Sequence, residues 1–277
     1  MSFSFPARHD GYALAADLFL PSAEPRAAVL IAPAMAVRRR FYAPLAEYVA
    51  EQGAAALTFD YRGIGGSRPA GSLRGFRAEF HEWGEKDLAG AADFLAQRFP
   101  GKPLLFIGHS AGAQLLGLLP EVPFRAALFA AAGTAFWKAY SGKARVFMGA
   151  FFHLIVPAAT HVAGYLPMSH FGQGDDVPKG VALEWARWGR NPRYVGSYAE
   201  SRGGLGFTRY QGPIRALAIS DDSYAPRRAV EKLLELYTAA RTELHVLEPA
   251  ANPIGHFGFF RQSAYWPEQV GWLLQAT

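Results

Sequence analysis

The chain has 277 residues, is 51% hydrophobic and 14% aromatic, and carries a formal net charge of +5. This composition supports a large hydrophobic core and excludes an intrinsically disordered chain, and the length fits one α/β domain with or without an inserted cap. Because the chain has no cysteine, disulfides, thiolate metal sites and thiol nucleophiles are excluded as well.

The chain begins with two segments of alternating character, residues 2–8 and 12–19, which predict strands joined by a turn at Asp10 and Gly11. The first residues lack a basic region followed by an apolar run, so we predict no secretory signal and a cytoplasmic protein. The continuous apolar run at residues 27–32 predicts a strand that is buried on both faces.

The densest basic run is Arg38-Arg39-Arg40. It has no interleaved aromatic residues and no nucleic-acid-binding signature, so we predict no nucleic-acid partner. We interpret the run as a solvated loop face. The alternative is a positive rim that favours anionic substrates.

Helices and strands then alternate. Residues 41–52 carry apolar side chains at helical spacing and stop at Gly53, and residues 54–60 predict another buried strand. Residues 82–99 predict a long amphipathic helix, and residues 125–131 a further strand. This alternation predicts an α/β fold with a mostly parallel sheet and helices on both of its faces.

The segment around Ser110 is the most informative in the chain. An apolar run ends in Gly108-His109-Ser110-Ala111-Gly112, and a helix-prone stretch follows at once. This pattern predicts a serine on a sharp strand-to-helix turn, with its hydroxyl at the top of the sheet. Side chains in place of the two glycines would collide with the neighbouring strand and helix. The alternative is a glycine-flanked turn without chemistry.

No strand pattern is evident in residues 133–211, where aromatic residues and glycines abound. We predict that this segment is a helical cap over the carboxyl edge of the sheet, and that residues 1–132 and 212–277 form the core. Residues 146–168 within it are apolar but interrupted by histidines, a proline and a glycine. They predict a buried or lid helix pair and no integral membrane segment, because a spanning helix needs about 20 unbroken apolar residues.

Two features of the predicted cap have alternative interpretations. The glycine-rich residues 202–206 form either a hinge or an ordinary surface loop. Asp175 and Asp176, near His170, could bind a metal, but we interpret them as part of a solvated lid loop.

The alternation resumes after residue 211, with strands at residues 214–220 and 243–247 and helices at residues 227–240 and 266–275. Two aspartates follow the first of these strands, and His256 follows the second. Open α/β sheets place their sites at the carboxyl ends of strands. A serine nucleophile needs a base, and the base needs a carboxylate that fixes its tautomer. We therefore predict that Ser110, one aspartate and His256 meet at this edge.

Four motifs carry a resemblance to a known family: Gly108-His109-Ser110-Ala111-Gly112, Asp60-Tyr61-Arg62-Gly63-Ile64-Gly65-Gly66-Ser67, Ser220-Asp221-Asp222-Ser223-Tyr224-Ala225-Pro226 and Gly255-His256-Phe257. Over about residues 10–275 the chain resembles the α/β-hydrolases. Within that superfamily it is similar to the lysophospholipase-like, serine-aminopeptidase-like group of predicted hydrolases.

The resemblance implies Ser110 as the nucleophile and His256 as the general base. It implies Asp222 as the acid, because family members tend to place a proline four residues later, where Pro226 stands here. Asp221 is the alternative acid, and its other role would be to cap the following turn.

Acyl transfer also requires donors for the developing oxyanion. We predict the backbone N–H of Ala111 as one donor, at the start of a helix. The second is predicted in the loop after residues 27–32, at Ala34 or Met35. There the sequence Ala32-Pro33-Ala34-Met35 replaces the family's usual His-Gly, so the identity of this donor stays open.

These observations predict a serine hydrolase that cleaves an ester or amide of a small-molecule substrate through an acyl-enzyme, without a cofactor or a metal. The aromatic residues of the predicted cap favour an apolar acyl group. One alternative is an acyltransferase with the same triad. The other is a catalytically silent member that binds a ligand or protein partner. Each of these three functions is compatible with a homo-oligomer.

Overall fold

The computed structural model describes residues 1–172 and 174–276. Eight of its strands form one sheet in the order β1-β2-β4-β3-β5-β6-β9-β10, and β7 pairs with β8 in a separate two-stranded sheet. These strands are β1 (Ser2–Pro6), β2 (Ala13–Phe19), β3 (Ala28–Ala32), β4 (Ala55–Phe59), β5 (Leu104–His109), β6 (Ala126–Ala130), β7 (Tyr165–Leu166), β8 (Val177–Pro178), β9 (Ile214–Ile219) and β10 (Thr242–Leu247).

Helices connect the strands. They are α1 (Ala43–Glu51), α2 (Phe80–Glu82), α3 (Ala89–Arg98), α4 (Ala111–Leu116), α5 (Gly142–Ala150), α6 (Val156–Ala163), α7 (Lys179–Gly189), α8 (Val195–Glu200), α9 (Leu205–Arg209), α10 (Arg227–Leu234), α11 (Gly255–Gly258) and α12 (Trp266–Leu274). Two π-helical stretches, Trp83–Leu88 and Phe151–Ile155, join α2 to α3 and α5 to α6 without a break.

The large sheet is mostly parallel, as the sequence predicts. The six neighbouring strands β4, β3, β5, β6, β9 and β10 run parallel to one another, whereas β2 pairs antiparallel with both β4 and β1 at one edge. The apolar runs of the central strands bury both faces, because successive side chains point to opposite sides. Leu30 and Phe106 pack into the core on one face, and Val29 and Ile107 pack into the core on the other.

The segment between β6 and β9 contains the helices α5 to α9. The prediction that it lacks strands is wrong in detail, because the short strands β7 and β8 pair antiparallel within it, with Tyr165 opposite Pro178. The pairing closes a loop of about ten residues. Each strand has only two residues, too few for side-chain alternation to be visible in the sequence.

The apolar stretch at 146–168 was predicted as a buried or lid helix pair, but the structure has one continuous helix over Gly142–Ala163. Pro157 does not break this helix. The π-helical stretch Phe151–Ile155 ends two residues before Pro157, and this wider turn accommodates the lack of the backbone hydrogen bond that proline cannot donate. The helix ends at Gly164, whose φ of 84° is left-handed. By length and composition alone, this helix could cross a membrane, but only 17% of its most apolar window is buried in the protein.

The interpretation of the arginine run as a solvated loop face is wrong for Arg39. Arg39 is buried, and its guanidinium pairs with Asp60 at 2.5 Å and with Asp17 at 2.8 Å. Arg38 is exposed but binds Asp175, with 2.6 Å between the guanidinium nitrogen and the carboxylate oxygen. Only Arg40 of the three is exposed without an ion pair among those described.

The interpretation of Asp175 and Asp176 as part of a solvated loop is wrong as well. Both side chains are buried, and their charged or polar partners offset the cost of removing a carboxylate from water. Besides binding Arg38, Asp175 accepts a hydrogen bond from the Gly65 N–H at 2.9 Å. Asp176 accepts one from the Ser169 hydroxyl at 2.6 Å. The bonds of Asp175 fix the segment after β7 to the core, whereas the bond from Ser169 to Asp176 lies within that segment.

Candidate active site

Ser110 occupies a strained turn between β5 and α4. Its φ is 48° and its ψ is −113°, a combination that is costly for any residue with a side chain. The Ser110 N–H donates to the Ala130 carbonyl of the neighbouring strand at 3.1 Å, which holds the turn against β6. The side chain is half-buried at the carboxyl end of the sheet.

The two glycines that flank Ser110 are required by the close approach of α4 to the sheet, as predicted. A Cβ on Gly112 would meet the carbonyl oxygens of Ala32 and Pro33, both of which are backbone atoms. A Cβ on Gly108 would lie 2.6 Å from the Cα of Ala113. The turn can therefore form only where both positions lack a side chain.

His256 and Asp222 meet at the same edge of the sheet. The imidazole Nδ1 lies 2.8 Å from Asp222 Oδ2, and both side chains are almost fully buried. The other Asp222 oxygen accepts the N–H groups of Tyr224, at 2.7 Å, and Ala225, at 3.2 Å. Since a carboxylate only accepts, Nδ1 carries the proton, and Nε2 is left with a free lone pair.

Asp221, the alternative acid, binds a different group. Its carboxylate accepts the N–H of Ile254 at 2.9 Å and that of Gly255 at 2.8 Å. These N–H groups belong to the two residues directly before His256. Asp221 therefore fixes the loop that carries the imidazole, whereas Asp222 caps the turn that follows the aspartates.

The described residues contain no hydrogen bond between the Ser110 hydroxyl and the His256 imidazole. A different contact joins the two segments: the His109 Nε2 lies 2.9 Å from the backbone carbonyl of His256. Because His109 directly precedes Ser110, this bond fixes the backbone of residue 256 beside the strained turn. Hydrogen bonds between a nucleophile and its base are often long in a ligand-free site and shorten in the substrate complex.

A chain of hydrogen bonds passes through His109. A carbonyl only accepts, so Nε2 carries the proton, and Nδ1 accepts from the Tyr42 hydroxyl at 2.8 Å. The same hydroxyl accepts the N–H of Ala34, also at 2.8 Å. Burial lowers the pKa of His109 well below its usual 6.5, and the nearby His256 lowers it further. His109 is therefore a neutral bridge between the loop after β3 and the loop that carries His256.

This chain of bonds corrects one predicted oxyanion donor. The Ala34 N–H is already donated to Tyr42, so it is not available to an oxyanion. Met35 follows in a turn closed by the bond from the Val37 N–H to the Ala34 carbonyl, with Ala36 at a left-handed φ of 62°. No hydrogen bond engages the N–H of Met35 or of Ala111 within the part of the chain that the structure describes. Ala111 is the first residue of α4.

No sequence motif predicts a role for Tyr42 or His109. His109 occupies a position in the serine motif that tolerates many residue types, so its identity alone carried no signal. Tyr42 lies 67 positions away in the chain, and only the fold brings its hydroxyl to the ring. The one available hint was a polar aromatic residue placed among the apolar residues of a predicted helix.

Comparisons with known proteins show the family to which the chain belongs. Residues 23–202 match the family model described as serine aminopeptidase, S33, a hydrolase family. The chain belongs to this family. It is an α/β-hydrolase, as the sequence motifs imply. The matched region includes Ser110 but ends before Asp222 and His256, and a search of curated proteins finds no match.

Solved structures of other α/β-hydrolases share the fold over nearly the whole chain. A soluble variant of monoglyceride lipase from Saccharomyces cerevisiae has 14% identity and a TM-score of 0.68, and the match covers 99% of this chain and 94% of the other. An esterase from Exiguobacterium antarcticum has 16% identity, a TM-score of 0.66 and coverage of 99% and 100%. A monoacylglycerol lipase from Paleococcus ferrophilus has 16% identity, a TM-score of 0.62 and coverage of 95% and 99%.

The segment between β6 and β9 of this α/β-hydrolase contacts two of the chain segments that carry the candidate site residues. The Tyr140 hydroxyl donates to the carbonyl of Tyr224 at 2.7 Å, two residues after Asp222. The Tyr194 hydroxyl donates to Gln114 Oε1 at 2.9 Å, on the helix that begins after Ser110. In residues 1–172 and 174–276, no group of three or more acidic or histidine side chains could hold a metal ion.

Proposed function

We propose that this α/β-hydrolase is a serine hydrolase that cleaves small-molecule esters or amides through an acyl-enzyme. Ser110 is the nucleophile, His256 the general base and Asp222 the acid. The bond between His256 Nδ1 and Asp222 Oδ2, beside the strained turn at Ser110, is the observation that carries the proposal. Family membership supports hydrolysis, and the neighbours described as esterases support an ester substrate.

The reaction moves one proton and one acyl group. His256 Nε2 accepts the Ser110 proton as the hydroxyl oxygen attacks the carbonyl carbon, and Asp222 stabilises the resulting imidazolium. The imidazolium then gives this proton to the leaving group as the carbon–oxygen or carbon–nitrogen bond breaks. Water repeats the sequence on the acyl-enzyme: it gives its proton to His256, and the acid is released as Ser110 recovers its hydrogen.

The oxyanion of each tetrahedral intermediate would accept the N–H groups of Ala111 and Met35. Both belong to segments with a constrained backbone, since α4 begins at Ala111 and Ala36 holds the turn after Met35. Preorganised donors of this kind contribute because they need no reorientation as charge develops, and the loss of one typically costs a factor of roughly 10²–10³ in rate.

We further propose that residues 133–211 form a cap and that the substrate carries an apolar acyl group. The bonds from Tyr140 and Tyr194 to the site support the first part, and the aromatic side chains of the segment support the second. Rates on p-nitrophenyl esters from acetate to laurate test the acyl preference. A rate that stays flat or falls as the acyl chain lengthens would contradict the proposed acyl preference.

The cytoplasmic location stays a prediction from the sequence.

A fluorophosphonate probe and ester turnover test the catalytic proposal together. We expect wild-type protein to be labelled, and we expect Ser110→Ala to abolish labelling and to lower kcat by roughly 10³–10⁶. Ser220→Ala is the matched control, because this exposed serine also follows a strand of the sheet. An unlabelled wild-type protein would instead support the silent, ligand-binding alternative. Turnover that rises with added alcohol, with transfer to that alcohol as the main product, would support the acyltransferase.

A further inference from the structure

The helix over Gly142–Ala163 exposes an apolar face to solvent. Of the large hydrophobic side chains that are exposed in the described residues, five of nine lie on this one helix. Val162 is 81% exposed and Phe147 is 57% exposed, and the others are Val146, Leu154 and Ile155. Scattered exposed hydrophobic residues are ordinary on a protein surface, but a contiguous group on one helix marks an interaction surface.

The opposite face of the same helix is packed against the protein. Phe152, Val156 and Thr160 are fully buried. The Phe152 ring meets the Trp185 ring of α7 edge to face at 5.0 Å, and it also covers Gly189 of that helix. Insertion of the whole helix across a bilayer would strip away these contacts. The exposed face alone is therefore available to a partner.

The charged residues on this helix and on the chain segments directly before and after it are all basic. The sequence from Val122 to Gly174 contains no aspartate and no glutamate. Lys143 and Arg145 are exposed in the first turn of the helix, and Lys138 is exposed in the turn that precedes it. At the C-terminal end, exposed Arg74 donates to the Val162 carbonyl at 3.3 Å. An apolar strip with cations at both ends complements a surface that is apolar inside and anionic outside.

We propose that this face docks the protein on an anionic phospholipid bilayer, with the helix parallel to the membrane plane. Helices of this kind bury an apolar face at the boundary between headgroups and acyl chains, and their basic residues bind the anionic headgroups. Each Lys or Arg near such a surface contributes about a five-fold gain in partitioning. A second copy of the chain is a poorer match, because two like-charged faces repel each other.

Sedimentation with lipid vesicles tests this proposal and needs no catalytic activity, so its failure is separate from that of the proposed hydrolysis. The vesicles are phosphatidylcholine alone or phosphatidylcholine with one part in four phosphatidylglycerol. We expect binding to the second kind only, and we expect it to weaken as salt rises. Exchange of Phe147→Ser with Leu154→Ser should weaken it by about 100-fold, or about ten-fold for each large side chain.

Two further variants make the result decisive. Lys143→Gln with Arg145→Gln should weaken binding by about 25-fold and flatten its salt dependence, with no change to the apolar strip. Leu20→Ser with Val246→Ser removes two exposed hydrophobic side chains elsewhere and should leave binding unchanged. The proposal is overturned if wild type fails to bind, if it binds neutral vesicles equally well, or if ultracentrifugation shows a dimer that Phe147→Ser with Leu154→Ser dissociates.

Discussion

Gly112 allows the serine turn to form, and its substitution by alanine gives the sharpest test of that geometry. A Cβ at this position would lie 2.7 Å from the Ala32 carbonyl carbon, 2.8 Å from the Pro33 oxygen and closer still to the Ala32 oxygen. All three are backbone atoms at the end of β3, so no side chain can rotate away. Ordinary contacts require about an ångström more, and either α4 or the loop after β3 must therefore move.

We expect Gly112→Ala to lower the free energy of unfolding by about 2–3 kcal/mol, the cost of overpacking a rigid interface. The melting temperature should fall by about 4–6 °C in a chain of this size. Because the displaced loop contains Met35, the proposed oxyanion donor, kcat on a short-chain ester should fall by at least ~10²-fold.

Gly271→Ala is the matched control, because it makes the same chemical change in the middle of a helix. Nothing lies within 4 Å of a Cβ on Gly271, and the residue belongs to α12. We expect it to raise the free energy of unfolding by about 0.5–1 kcal/mol, since alanine favours a helix more than glycine does. Urea denaturation of both variants measures the difference. A Gly112→Ala protein as stable as wild type would refute the reasoning.

Three further predictions address the hydrogen bonds of the site. Asp222→Asn should lower kcat by about 10⁴-fold, because it removes the carboxylate that fixes the imidazole tautomer, whereas Asp221→Asn should cost only about ten-fold. Tyr42→Phe should destabilise the fold by about 1–3 kcal/mol, since the buried N–H of Ala34 and Nδ1 of His109 lose their partner. Burial holds the pKa of His109 in the folded chain well below 6.5. Below about pH 6.5 this imidazole is therefore protonated in the unfolded chain but stays neutral in the folded chain. Stability should therefore fall as the pH drops below about 6.5, by at most ~1.4 kcal/mol per pH unit, and more steeply than in His109→Gln.

Each of these predictions has its own check. Ester kinetics with both asparagine variants separate the two aspartates, and equal losses would mean that the bond from Asp222 to His256 does not matter to turnover. Urea denaturation gives the cost of Tyr42→Phe, and an unchanged midpoint would contradict the hydrogen-bond chain. For His109, the free energy of unfolding of wild type minus that of His109→Gln is measured between pH 5 and 7.5, so that the contributions of all other titrating groups cancel. A flat difference would contradict a neutral buried imidazole.

The sheet could be predicted from the sequence because its signals are local. The run that forms β3 is apolar at every position, and the two glycines around Ser110 mark the turn directly after β5. Likewise, Asp222 and His256 each follow a strand, so their approach follows from the topology alone. Such features need only a short window of the chain.

The errors arose where a distant partner decides the outcome. Arg39 looks like a surface residue until the fold supplies Asp17 and Asp60, and Asp175 looks solvated until Arg38 and Gly65 reach it. A charged side chain can be buried only where it has a partner, and the tertiary fold decides which partner lies close to it. The Ala34 N–H belongs to the same class, because its acceptor is a side-chain hydroxyl on the next helical segment.

The backbone conformation of Ser110 has a consequence for protein engineering. At a φ of 48° and a ψ of −113°, glycine would give a more stable fold than serine. Any activity that depends on the Ser110 hydroxyl therefore comes at a cost in stability. Selection of a library for thermostability alone should therefore enrich glycine at residue 110 and yield proteins that are more stable but inactive. A screen for thermostable variants of this enzyme has to reward turnover in every round.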